Sequence, residues 1–491
     1  MRKMFCFMAA LLLLCGCNTV ISDNVSPAAN EAADAYDLSF SESEEDASYS
    51  LNGSTYIALA DTDVKISKGG TYILEGTMND ASIIVEVSKD EDVQLVLNNV
   101  TISSGDFAGI YIAEGDEITI TLADNSVNTI SDSGTYTQID ENDVDALIYS
   151  KADLAINGSG TLILSSAYNH GIVSKDDLVI TGGNYEIDVA GQALRGKDAL
   201  MISDGTFEIK AGKDALKSDN DEDEYRGYIN ITGGDFTISS SQDAIYGLNL
   251  VNISGGTFNI TTESTDGSSA KGIKSDVSIE ISGGTFTIDA SDDGIHCDGD
   301  LLITGGNFTI DSDDDAIHAD SKLQIDDGTF VLRAHEGLEA TYVLINGGDI
   351  SISAEDDGIN ASQTVAAYKA TVEINDGYVR IDMGQGDTDA VDSNGYIYVN
   401  GGTLEINAQS AFDYDAGAEK NGGTIIVNGT QTDQITSQMM GGFGGMGGMG
   451  GMGHGNGMGS QSPWGSAEEN EEGSGGQNEQ SDPFVHQGGR H

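Results

Sequence analysis

Between Gly294 and Asp311 the chain alternates apolar and polar side chains in three short runs, "GIHC", "LLIT" and "FTID". Period-two alternation points Ile295 and Cys297 one way and His296 the other, and it pairs Leu301 with Ile303 and Phe308 with Ile310. Asp-Gly, Gly-Gly and an acidic corner separate the runs, all of them turn chemistry that permits positive φ. The pattern then repeats. Gly-Gly or Asp-Gly pairs recur at Gly182, Asp204, Gly233, Gly255, Gly283, Gly305, Asp327, Gly347, Asp376, Gly401 and Gly422, at intervals of 22, 29, 22, 28, 22, 22, 20, 29, 25 and 21. A base interval near 22 with occasional insertions predicts a stacked repeat, one coil per interval, with the insertions in loops. Three short strands per coil and no helical periodicity predict an all-β fold, a right-handed parallel β-helix, the hand following the crossover preference of parallel strands. Stacking places Phe236, Phe258, Phe286, Phe308 and Phe330 in one inward column, because Phe308 shares its face with Ile310 and Phe330 with Leu332.

Composition limits what such a fold can bind. The 491 residues include 81 acidic against 21 basic side chains, a formal net charge of −60 that excludes nucleic-acid binding through phosphate neutralisation. A surface of this kind attracts cations. Arg2 and Lys3 precede the apolar run "MFCFMAALLLLC", too short for a permanent span, which ends in Leu14-Cys15-Gly16-Cys17. That end resembles a lipobox and implies a lipid anchor on Cys17, with an ordinary secretory signal as the alternative. Either reading takes the mature chain out of the cytoplasm, and the lipid anchor would hold it at the cell surface. Beyond Cys17 the only cysteine is Cys297, so no intrachain disulfide framework is expected. The expected organisation is a lipoprotein signal over 1–17, a disordered tether over 18–50, the repeat over 51–436, and a disordered tail rich in glycine and methionine over 437–491. Thioether binding of Cu(I) near His454 is the sharper reading of that tail, and low-complexity drift the plainer one.

The acidic corners pose a physical problem. Asp292-Asp293-Gly294-Ile295-His296 returns as Asp314-Asp315-Ala316-Ile317-His318, every position advanced by 22, with Asp356 and Asp357 further along. Asp298 and Asp320 form a second stack just past the strand. Carboxylates one rung apart lie roughly 4.8 Å from each other and repel. Calcium takes oxygens at about 2.3–2.6 Å, so one ion spans the gap between two coils. Asp292, Asp293, Asp298, Asp314, Asp315, Asp320, Asp356 and Asp357 are therefore the candidate calcium ligands. Asp214, Asp219 and Asp221 form a second candidate group around Lys217. Hydrated turn residues are the alternative for any single pair. His296 and His318 read first as a stacked surface column, with zinc or sugar contact as the alternative.

The stretches "NHGIVSKDDLVITGGNYEI" and "GKDALMISDGTFEIKAGKDALKSDND", followed by coils of the "DDGIHCDG" kind, resemble the carbohydrate-binding, polysaccharide-lyase-like family of secreted β-helix proteins. The upstream "AGIYIAEGDEITITLADNSVNTISD" and "ALIYSKADLAINGSGTLIL" are similar to its N-terminal portion, so the resemblance covers roughly Tyr56 to Gly429. It implies a right-handed parallel β-helix that binds calcium and plant-type polysaccharides, cellulose and polygalacturonate among them, with no established lyase activity for the family as a whole; a monomer is expected. On this reading His296, His318 and Lys217 are the candidate substrate contacts. A lyase would also need a base, for which Lys217 is the best candidate; Lys213, Lys271, Lys274 and Arg226 are weaker. The acids beside Lys217 oppose that use by favouring its charged form. Calcium-dependent polysaccharide binding without catalysis is the leading expectation, with a calcium-dependent lyase second and a passive surface adhesin or spacer third.

Overall fold

The computed structural model describes residues 36–264, 267–384 and 388–437. These residues are almost entirely β-structure: 43 strands join in one hydrogen-bonded sheet, beside a single four-residue helix, Glu42–Glu45. Each turn of the repeat supplies three strands, and each strand pairs in parallel with its counterpart one turn on. Ile273–Ser275 pairs with Ile295–Cys297, Ser278–Ile281 with Asp300–Ile303, and Thr285–Ala290 with Asn307–Ser312, without register shift. The expected runs "GIHC", "LLIT" and "FTID" are these strands to within a residue or two at their ends. Among the described residues the antiparallel exception is Thr430–Thr432, which folds back on Thr424–Val427.

Alternation decides which side chains fill the interior. In Asn307–Ser312 the side chains run exposed, buried, exposed, buried, exposed, buried, as period two demands. Buried positions of successive turns merge into one apolar core along the repeat. Its most regular feature is the aromatic column. Phe236, Phe258, Phe286, Phe308 and Phe330 stack with ring centroids 4.7–4.8 Å apart and interplanar angles of 1–3°. Tyr185 and Phe207 extend the column at its N-terminal end, at 4.7 and 4.6 Å. The strand spacing sets that distance. The second glycine of the Gly-Gly pairs that precede a column aromatic is required by the same column. Gly306 has φ +118, and a Cβ there would lie 3.0 Å from the Phe308 ring.

Residues 36–50 depart from the expected tether. Tyr36, Leu38 and Phe40 pack on an outward apolar patch formed by Val179, Ala199, Met201, Tyr228 and Leu250. The backbone is tied down as well: Tyr228 Oη donates to the Asp37 carbonyl (2.7 Å), Asn230 Nδ2 to Leu38 (2.9 Å) and Thr181 Oγ1 to Glu44 (2.8 Å). Ser41 caps the short helix with a reciprocal capping box to Glu44. Acidic density hid a period-two alternation at positions 36, 38 and 40, and that alternation is what binds the segment to the sheet. The lipobox at Cys17 and the tail over 438–491 lie outside the described residues.

Candidate functional site

The shortest strand of most turns follows one local rule: a corner acid, a small residue, an apolar residue, then an outward residue three positions after the acid; Gln192 and Lys271 take the acid's place ahead of Arg195 and Lys274. Ile295 and Cys297 turn inward and are fully buried, which leaves His296 outward. Stacking converts that rule into a row. Arg195, Lys217, Tyr246, Lys274, His296, His318, Glu339, Asn360 and Asp392 are consecutive partners in register. The row is basic at one end and acidic at the other, with two histidines between. Tyr246 lies between the ammonium groups of Lys217 (4.8 Å to the ring centre) and Lys274 (5.5 Å).

Beneath the row run the corner acids, and their first task is structural. Asp243 Oδ1 accepts from Lys271 N (2.8 Å), Asp293 Oδ1 from Asp315 N (3.0 Å) and Asp357 Oδ1 from Asp389 N (3.2 Å), each tying one turn to the next. The second carboxylate oxygen then needs a partner, because a buried charge is costly unless paired. Lys271 Nζ supplies it at Asp293 and also reaches Asp292 (3.0 Å). His296 Nδ1 adds a contact to Asp293 Oδ2 (2.7 Å), and His318 Nδ1 meets Asp315 Oδ2 (2.7 Å) and Glu339 Oε2 (3.2 Å). The two imidazole rings lie 4.7 Å apart.

Proton affinities follow these partners. Burial pushes Asp293 up, but the His296 hydrogen bond and the Lys271 ammonium outweigh it and hold the carboxyl well below the usual range. Asp315 has no lysine; burial and the charges of Asp293 and Glu339 push it up to about 7 against the His318 hydrogen bond. Burial also disfavours charge on His318, yet its bonds to Asp315 and Glu339 raise it to about 11. Glu336 and Asp357 are each pushed up to about 7, by burial first and by neighbouring carboxylates second. Carboxylates at this end of the row crowd together with too little positive charge.

Not all the sequence candidates converge. Oxygens of Asp292, Asp293 and Asp314 come within 4.8 Å of one another across the turn boundary. Asp356 instead joins His335 and Glu336, while Asp357 holds Asp389 N. Asp298 and Asp320 do not close on the Asp292 group; each meets the far nitrogen of its own histidine, at 2.8 and 3.2 Å. The imidazole rings stand between the two expected stacks, so His296 and His318 are mostly buried linkers rather than a solvated column. Lys217 is ion-paired to Asp214 (2.8 Å) and lies 3.9 Å from Asp219, whose other partner is Arg195; Asp221 is exposed. Glu336 and Glu339 escaped the sequence reading because "HEGLEA" carries no Asp-Asp pair. The signal was positional, since 339 follows 296 and 318 in register.

Known proteins add an independent comparison. A solved chain titled "Structure of the polysaccharide lyase-like protein from C. thermocellum, Gadolinium derivative" aligns with a TM-score of 0.41 and 30% identity, over 51% of this chain and 96% of that one. A carbohydrate-binding domain-containing protein of Acetivibrio thermocellus is 38% identical over 133 residues, 27% of this chain. The chain spans about half, 46%, of the length of that curated relative. The profile of the carbohydrate-binding domain-containing protein family matches residues 60–316 and 314–448, which together take in nearly the whole repeat. The chain therefore belongs to the carbohydrate-binding domain-containing protein family.

Proposed function

We propose that the chain binds polysaccharide at the cell surface through calcium, without cleaving it, and that its sheet winds as a right-handed parallel β-helix. The observation that carries the reading is the family match over residues 60–316 and 314–448, the same residues that build the outward row. A row of hydrogen-bonding side chains, one per turn, suits a linear chain of sugars laid along it. Cellulose and acidic pectic chains are the proposed ligands, and a lipid on Cys17 the proposed anchor.

Calcium answers the electrostatics. A chain at −60 repels a polyuronate unless divalent ions bridge carboxylate to carboxylate. Asp292, Asp293 and Asp314 offer an oxygen-only donor set between two turns, of the kind calcium takes, and would hold the ion with the Lys271 ammonium swung aside. Bound calcium would supply spare coordination sites to a uronate carboxylate.

The non-catalytic reading rests on the candidate bases. Lys217 is paired with Asp214, Lys271 with Asp293, Lys274 with Asp276 and Arg226 with Asp198, so each already holds a carboxylate, and at Lys271 the Asp293 and Asp292 carboxylates outweigh burial and favour the charged form. Retention on insoluble cellulose and pectin tests the proposal. The chain should be held with calcium and released by chelator, and polygalacturonate should show no rise in ultraviolet absorbance from unsaturated product. A calcium-dependent rise would make it a lyase, and no retention under either condition would leave a spacer.

A further inference from the structure

Two corner acids toward the basic end of the row have a resident cation, Lys217 at Asp214 and Lys271 at Asp293. At the next turns that supply stops. Asp315 and Glu339 converge from adjacent turns on one nitrogen, His318 Nδ1, at 2.7 and 3.2 Å. A donor atom from each of the three residues lies within 4.8 Å of the others. The surroundings hold this arrangement in place. Ser362 Oγ donates to Glu339 Oε1 (2.7 Å), which leaves Oε2 for the imidazole, and Asp315 N is fixed on Asp293. One rung further in register, Asn360 Oδ1 is buried and makes no hydrogen bond.

We propose that Asp315, His318 and Glu339 form a binding site for a divalent ion of the zinc class, distinct from the carboxylate cluster at Asp292 and with an open position for water or a sugar oxygen. Two carboxyl groups face one imidazole nitrogen, so a divalent ion bound there would balance their charge. The donor set selects the metal. One imidazole nitrogen and two carboxylates make a three-ligand site with a free fourth position, which suits zinc, whereas calcium takes six to eight oxygens. Zinc bonds of about 2.0–2.2 Å set tetrahedral donors a little over 3 Å apart, so the present 2.7 and 3.2 Å need open by less than an ångström. Ser362 orients Glu339 as an outer partner orients a metal ligand. The site does not depend on polysaccharide binding.

The full chain, stripped with chelator, should be titrated with Co2+ in the visible and with Zn2+ by calorimetry, in millimolar calcium throughout. The expected result is a tetrahedral cobalt spectrum that calcium does not displace. His318→Ala should abolish that spectrum and remove one equivalent of zinc. Glu339→Gln keeps the side-chain shape, so it should fold even where the histidine variant does not, and it should weaken zinc at least tenfold. Unchanged zinc affinity and stoichiometry in Glu339→Gln, or a cobalt spectrum surviving His318→Ala, would overturn the site. Displacement of cobalt by calcium would overturn it equally, because the ion would then lie among carboxylates alone.

Discussion

Asp293 and Asp315 occupy the same place in successive turns and meet a histidine in the same way, yet they hold their protons differently. Lys271 makes the difference. Replacing it with alanine leaves Asp293 buried without its ammonium partner and should cost about 3 kcal/mol in chelator, as for other broken buried pairs. Calcium should restore most of that loss and bind Lys271→Ala more tightly than the parent. Calorimetry that finds weaker calcium binding in the variant would show that ammonium and calcium do not compete for one place. The acids without lysines predict a pH dependence. Asp315, Glu336 and Asp357 are raised to about 7, so the folded chain holds more protons than the unfolded one between about pH 4 and 7. Stability in chelator should therefore fall as pH rises through that window. His318, raised to about 11, contributes stability that is complete below its unfolded value and is lost progressively as pH rises from there toward 11, in the same direction as the carboxyls. Melting temperatures from pH 5 to pH 8 will show the decline; a rise over that range would mean that His170, whose burial disfavours its charged form, dominates.

Among the elements, the third strand of each turn was the most legible in the sequence, and the segment before the repeat the least. Alternation about Phe308 and Ile310 says which face is inward, and an interval of 22 residues stacks that face on itself without a register shift. Because the rings share one column, Phe308→Ala should cost about 3–5 kcal/mol by opening a cavity between Phe286 and Phe330. Denaturant melts would measure it, and a loss under 1 kcal/mol would mean that the column closes up. Tyr36, Leu38 and Phe40 also alternate, but three apolar residues among acids look like linker until a sheet face is there to receive them. Removing residues up to Phe40 should uncover Val179, Met201 and Leu250, raise binding of a hydrophobic dye, and leave the far-ultraviolet spectrum unchanged. No gain in dye binding would argue against the packed segment.

Across the whole molecule, one translation repeated over the chain produces both the core and the surface row. The inward side was readable because apolar identity persists from turn to turn. The outward side was readable only in part, since its identities change from Lys217 to His296 to Glu339 while its register does not. Asp-Asp pairs announced the acids of Asp292 and Asp314. Nothing in spacing alone revealed that imidazoles would separate Asp293 from Asp298, because both lie beside the same strand and only the side chain between them decides. With a formal charge of −60 and a row turning from basic to acidic, the proposed binding of an acidic polysaccharide needs divalent cations as the bridge. Calorimetric titration of the full chain with polygalacturonate fragments, in calcium and in chelator, tests that most directly. The account predicts saturable binding in calcium, weakened at least tenfold by chelator; equal binding in both, or none in either, would contradict it.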